Sequence, residues 1–255
     1  MPIADEIYYQ LSEGCAEGQR PPVVLIHGAG GNLLYWPPEI RRLPGYRVYA
    51  LDLPGHGKSE GRGQQSAQGY ARAVLNWFES VGLHSAVVVG HSMGCAVALS
   101  MALDHPEHVL ALVLVGGGAR LRVAPEFLEG TSSTTTFHST VEKIVARSFS
   151  PQSPPRLSEL AAARMAETRA SVLHGDFIAC DNFDETARIA EIQQPTLVIS
   201  GADDQMTPVR YGQYLANCIP NAKLEVIPNA GHMMMLEQPA AVAAAMHNFL
   251  ENLPY

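Results

Sequence analysis

The sequence predicts an α/β protein, a mostly parallel central sheet flanked by helices, with one helical insertion. Three observations predict it. Apolar strand-like runs alternate with segments of helical spacing along most of the 255 residues. That alternation stops between about 119 and 192 and then resumes. A β-branched run, Val87-Val88-Val89, ends in Gly90-His91-Ser92-Met93-Gly94 and passes directly into a small-residue segment of helical spacing.

Residues 6 to 11 alternate weakly and predict an edge strand, followed by a polar turn reaching Arg20-Pro21-Pro22. Val23-Val24-Leu25-Ile26 is continuously apolar, as a strand covered on both faces must be, and it ends in His27-Gly28-Ala29-Gly30-Gly31. Arg47 to Leu51 predicts a strand that runs into the Pro- and Gly-rich loop Asp52 to Ser59. Tyr70, Val74, Trp77, Phe78 and Val81 mark one face of a helix over 66–81, closed by Gly82. The strand at 87–89 and its helix follow, the helix ending near Asp104-His105-Pro106, and Val109 to Val115 is another buried-type strand.

Residues 119–192 contain a Ser/Thr run (131–136), a Pro-rich turn (150–155), helix-like pieces around 137–149 and 156–174, and no strand pattern. This segment is expected to be a helical cap over the carboxyl edge of the sheet. Residues 1–118 and 193–255 then form one core domain around it, with strands at 196–200 and 223–227 and helices near 208–217 and 238–250. No internal repeat is visible.

Twenty-five acidic residues against 17 basic ones give a net charge of −8, and no basic block occurs. This argues against nucleic-acid or anionic-membrane partners. The first residues have neither a basic n-region nor an apolar h-region, and no stretch reaches the length of a membrane span, so a cytoplasmic protein is expected. Cys15, Cys95, Cys180 and Cys218 lack metal or disulfide spacing and read as small apolar residues in a reducing compartment. No His/carboxylate cluster points to a metal, and no cofactor is called for.

Gly-x-Ser-x-Gly between a strand and a helix is the setting of a nucleophile elbow, which raises Ser92 at the carboxyl edge of the sheet. The two glycines fit a turn that is strained and packs closely against its own strand. A serine nucleophile needs a base, and the base needs a carboxylate to set its tautomer. The loop after 196–200 offers Asp203 and Asp204; the loop after the last strand offers His232. The loop Gly116-Gly117-Gly118-Ala119 offers no acid.

At these residues the chain resembles the α/β-hydrolase fold superfamily, above all its small serine esterases and enol-lactonases, over about residues 20–250. The resemblance implies the triad Ser92, Asp204 and His232. Asp204 is preferred to Asp203 because Gly201, Asp204 and Pro208 match the family's G-x-x-D-x-x-x-P, which leaves Asp203 to hydrogen-bond locally. It also implies an oxyanion hole formed by the amides of Ala29 and Met93. The implied activity is a carboxylesterase acting on small to medium acyl chains. Lactones and C–C bonds are alternative substrates for the same triad; from outside hydrolysis, the alternatives are a cofactor-independent oxygenase, with the His/Asp pair as base, and a ligand receptor with little turnover.

The partner is then a small-molecule ester or lactone. Trp36, Leu173, Phe177, Met206 and Met233 are candidate pocket residues, although each would serve equally as core. His91 and His56 are expected to make structural hydrogen bonds; His84, His105, His108 and His247 to lie at the surface or at helix ends. His138 and His174 lie in the cap, where a histidine can reach substrate.

Overall fold

The computed structural model describes residues 3–14 and 20–254. Its centre is an eight-stranded sheet in the order β1-β2-β4-β3-β5-β6-β7-β8. The strands are β1 (Ile3–Ala4), β2 (Ile7–Glu13), β3 (Val23–Ile26), β4 (Arg47–Leu51), β5 (Ala86–His91), β6 (Val109–Val115), β7 (Thr196–Gly201) and β8 (Ala222–Ile227). β1 and β2 are antiparallel to their neighbours, and every pairing from β4 to β8 is parallel. The edge strand expected at 6–11 is thus β2 of a small hairpin, whose turn sets Asp5 and Glu6 at φ +44° and +64°. Neither residue is a glycine, so the turn carried no strong local signal.

The helices are α1 (Pro38–Arg41), α2 (Ala67–Ser80), α3 (Met93–Asp104), α4 (Pro125–Thr131), α5 (Thr134–Ser148), α6 (Pro155–Ala166), α7 (Ala170–Asp181), α8 (Val209–Cys218), α9 (Met234–Glu237) and α10 (Pro239–Glu251). β3, β5 and β6 are buried on both faces, because helices cover the sheet on each side. Ser66 caps α2 by accepting a hydrogen bond from the Gly69 N–H at 3.1 Å. α2 then buries Tyr70, Val74, Trp77 and Phe78 in a cluster shared with α3. Almost every side chain of α3 is buried, and its Gly, Ala and Cys content lets it lie close against β5.

Between β6 and β7 the chain forms four helices, α4 to α7, which make the cap. The cap helix expected at 156–174 is two helices, α6 and α7, separated at Glu167-Thr168-Arg169. The one expected at 137–149 begins earlier, because Ser133 caps α5 through the Thr135 N–H. An isolated antiparallel bridge, Arg120 to Asp184, ties the two ends of the insertion together. Among the described residues no helix is long and apolar enough to cross a membrane.

Cys95 and Cys180 are buried free thiols whose burial pushes their pKa values above the usual range. Cys218 is partly buried and also free, while Cys15 lies outside the described residues.

Candidate active site

Ser92 occupies the turn between β5 and α3 with φ +52° and ψ −114°, a conformation that costs a non-glycine residue on the order of 1–3 kcal/mol. Packing around the turn enforces it. A Cβ on Gly90 would lie 2.1 Å from the Gly94 carbonyl oxygen, and one on Gly94 would lie 2.3 Å from that of Ile26. The Ser92 N–H donates to the Val115 carbonyl at 2.9 Å, which fixes the turn to β6.

Asp204 follows β7, and its two carboxylate oxygens have different tasks. Oδ1 accepts from the Met206 and Thr207 N–H groups at 2.8 and 2.9 Å, an arrangement that orients the group. Oδ2 is left to meet His232 Nδ1 at 2.9 Å, beside the Thr207 hydroxyl at 2.8 Å. Burial works against the Asp204 charge, but His232 and the Thr207 hydrogen bonds outweigh it and hold the carboxyl below its usual range. Thr207 was not singled out in the sequence. A hydroxyl residue three positions after a carboxylate is the available signal, since such a pair closes a local turn.

His232 sits on the loop after β8, and its backbone is fixed from two sides. His91 Nε2–H donates to the His232 carbonyl at 3.0 Å, and the Met233 N–H donates to Ser148 of the cap at 3.1 Å. Burial lowers the His91 pKa to about 3, with the nearby His232 adding to the effect, so the His91 ring stays neutral. His91 therefore makes the structural bond expected of it.

The loop after β3 supplies the Ala29 amide. His27 Nε2 accepts from the Leu53 N–H at 3.0 Å, so its proton is on Nδ1, which donates to the Gly28 carbonyl at 2.8 Å. The Gly31 N–H also donates to that carbonyl, at 3.1 Å. Because a trans peptide points its C=O and N–H in opposite directions, fixing Gly28 C=O turns Ala29 N–H the other way. Among the described residues neither the Ala29 N–H nor the Met93 N–H donates to another protein group.

Ser92, His232 and Ala29 line one cavity of about 170 Å³, together with Phe177, Met206, Thr207, Arg122 and Tyr211. Two of the five candidate pocket residues, Phe177 and Met206, therefore face it. Trp36, Leu173 and Met233 do not: all three are buried in the apolar core, with Leu173 packed where a Cβ on Gly30 would fall. Proximity in the chain to the site's loops singled out Trp36 and Met233, and a place in the cap singled out Leu173, but the side chains turn inward. The wall was instead completed by residues of the 121–127 segment, which carries no motif.

His138 is exposed, and His174 shares a hydrogen bond with Thr131 at 3.2 Å; neither lines the cavity. Asp203 binds the Ser150 hydroxyl of the cap at 2.6 Å, in place of the local bond expected of it. Among the described residues no group of three or more His, Cys, Asp or Glu side chains is placed to hold a metal ion.

A mostly parallel α/β sheet with a helical cap and a buried His/Asp pair at its carboxyl edge defines a general esterase-type hydrolase. The chain belongs to the alpha/beta hydrolase fold family, which matches residues 21–239. Among curated proteins it is similar to the 2-hydroxy-6-oxo-6-phenylhexa-2,4-dienoate hydrolase of Burkholderia cepacia, 29% identical over 92% of this chain and 89% of that one. Among solved structures it is similar to a thermophilic esterase at 38% identity and TM-score 0.81, covering 97% of this chain and 94% of the other. The enol-lactonase of Burkholderia xenovorans LB400 has the same fold, with TM-score 0.88 at 24% identity and 96% of each chain covered.

Proposed function

We propose that the protein is a carboxylesterase that hydrolyses esters of small to medium acyl chain through an acyl-enzyme on Ser92. One observation carries this reading: His232, paired with Asp204, lines the same cavity as a serine held at φ +52°. With Nδ1 bound to Asp204, the His232 lone pair is on Nε2, the atom available to a serine hydroxyl.

His232 Nε2 takes the Ser92 proton as Oγ attacks the ester carbonyl. The electron pair displaced from the C=O bond becomes an oxyanion held by the Ala29 and Met93 amides. Collapse expels the alcohol, which takes the proton from His232. Water then attacks the acyl-enzyme, giving its proton to His232, and the second collapse releases acid and returns the proton to Ser92. Loss of one such oxyanion donor costs about 3 kcal/mol in well-studied hydrolases.

Hydrolysis of 4-nitrophenyl esters from acetate to laurate, by the wild type and Ser92→Ala in parallel, tests the reading. Turnover favouring the shorter acyl chains is expected, with a loss of at least about 10³-fold in Ser92→Ala. Turnover that survives the substitution removes Ser92 as the nucleophile. A second reading rests on the curated relatives, whose names include dienoate and dienedioate hydrolases. Turnover of such a dienoate in preference to every ester would replace the carboxylesterase reading.

A further inference from the structure

The catalytic cavity does not end at its own wall. A larger cavity of about 460 Å³ adjoins it and shares two of its residues, Arg122 and Tyr211. A ligand too long for the catalytic cavity therefore continues past these two side chains. The outer cavity also presents Arg120, Arg210, Thr186 and Tyr214, and no carboxylate is among its lining residues.

Three guanidinium groups around one cleft are unexpected in a chain of net charge −8. Their own partners do not neutralise them. Asp184 lies 3.4 Å from Arg120 Nε and 4.0 Å from Arg122 Nη2, so one carboxylate faces two arginines. Hydrogen bonds from Thr186 and, more weakly, the charges of the two arginines hold Asp184 below the usual carboxyl range, so it remains a single negative charge. Arg210 has no carboxylate within 4 Å among the described residues, and its guanidinium lies over the Tyr211 ring, 5.3 Å from the centroid. Arg122 is also anchored, donating from Nη1 to the Asp181 carbonyl at 2.9 Å. The anchoring leaves a positioned positive surplus beside a path that begins at Ser92. Planar guanidinium groups suit a carboxylate in particular, because they can donate two parallel hydrogen bonds to it.

We propose that this cleft is an anion subsite of the catalytic site, and that the substrate is an ester bearing a carboxylate remote from its scissile bond. The proposal rests on the serine-hydrolase reading for the scissile end alone. Arg120 and Arg122 are each about half exposed, at 48% and 49% of the side chain, so the attraction is screened by solvent and by salt. A preference of about tenfold is expected, not an absolute requirement.

The test compares matched acid and neutral esters. Mono-4-nitrophenyl adipate against 4-nitrophenyl methyl adipate puts the carboxylate on the acyl side; 3-acetoxybenzoate against its methyl ester puts it on the alcohol side. In at least one pair the acid is expected to have about tenfold higher kcat/KM, through KM, in about 20 mM salt, with the advantage shrinking in about 500 mM. The acid-to-neutral ratio should fall to near unity in an Arg120→Met/Arg210→Met double variant and be partly kept in the corresponding lysine variant. Turnover of all four esters with no acid preference, or a preference that the double variant retains, overturns the proposal and leaves the esterase reading standing. Calorimetric titration of Ser92→Ala with mono-4-nitrophenyl adipate and with 3-acetoxybenzoate separates the two readings. Binding of either acid that is lost with the two arginines supports the subsite even if the wild type turns over none of the four esters; binding of neither acid to Ser92→Ala overturns it.

Discussion

Asp176 of α7 has no accessible surface, yet it carries no part of the triad. Its Oδ2 accepts from the Gly30 N–H and from His56 Nε2, both at 2.8 Å, and its Oδ1 accepts from the Tyr70 hydroxyl. Asp176→Ala strands all three donors in a dry site. Breaking a buried charged pair by removing one partner costs about 3–5 kcal/mol. In a chain of this length each kcal/mol lowers Tm by about 2–4 °C, so a fall of roughly 6–20 °C is expected from thermal unfolding. From a mid-range total stability of about 10 kcal/mol, a loss of this size leaves the variant folded at room temperature.

The pH dependence has a definite sign. Burial works to lower the His56 pKa, but Asp176 outweighs it and raises the folded value above the ordinary one. The pair's contribution is therefore complete below about pH 6.5 and is lost as pH rises through the raised folded value. The Tm gap between wild type and Asp176→Ala should accordingly narrow with rising pH. A second readout concerns catalysis. Gly30 follows Ala29, and the cap also holds its carbonyl, through the Thr168 hydroxyl at 3.0 Å. Asp176→Asn, which keeps the shape, should lower kcat about tenfold with KM little changed, because a misplaced oxyanion donor acts on the transition state. A gap under about 1 kcal/mol, or one that widens with rising pH, would refute the role given to the Asp176–His56 pair.

Two further outcomes follow from the site. In Asp204→Asn an amide N–H2 faces His232 Nδ1, which pushes the ring proton to Nε2 and removes the base; a kcat loss of about 10²–10⁴ in ester hydrolysis is expected, with Tm little changed. In acid, His27 and His91 are both held neutral by burial, well below their ordinary values, while the unfolded chain protonates them. Stability should therefore fall from pH 6.5 towards 4 by up to about 1.4 kcal/mol per pH unit for each, while the His56 contribution, complete below about pH 6.5, stays constant. Urea midpoints at pH 7 and 5 read this directly, and a midpoint as high at pH 5 would contradict the assignment.

The parts of the site that were legible in the sequence are those whose chemistry is local. Gly90, Ser92 and Gly94 lie within five residues because a single turn imposes their types, and Asp204 orients itself with amides two and three residues away. Side-chain direction was not legible. Trp36 and Met233, beside catalytic loops in the chain, and Leu173 of the cap turn into the core, while Met206 and Phe177, chosen on the same two grounds, face the cavity. The His56–Asp176 pair joins residues 120 apart, and no spacing rule reaches that far. In the cap, no apolar period marked α4, and the break at 167–169 lacks the Gly or Pro that would announce it.

Several of the cap's long-range hydrogen bonds fall on the three loops that carry the site. Asp176 and Thr168 hold the two sides of Gly30; Ser148 accepts from Met233, and Ser150 binds both Asp203 and Glu237. Glu237 in turn accepts from the Gly231 N–H at 2.8 Å, and a Cβ on Gly231 would meet the cap backbone at 2.7 Å. Swinging the cap away would thus unfasten the oxyanion loop and the histidine loop together, at the cost of several buried hydrogen bonds. These bonds tie the cap to the loops of the candidate site. On the proposal made above, the arginine-lined cleft, which shares Arg122 and Tyr211 with the cavity at Ser92, is a route by which substrate would enter. The group that recognises the substrate's far end is then also the first it meets, so a carboxylate would raise the rate of capture as well as the affinity.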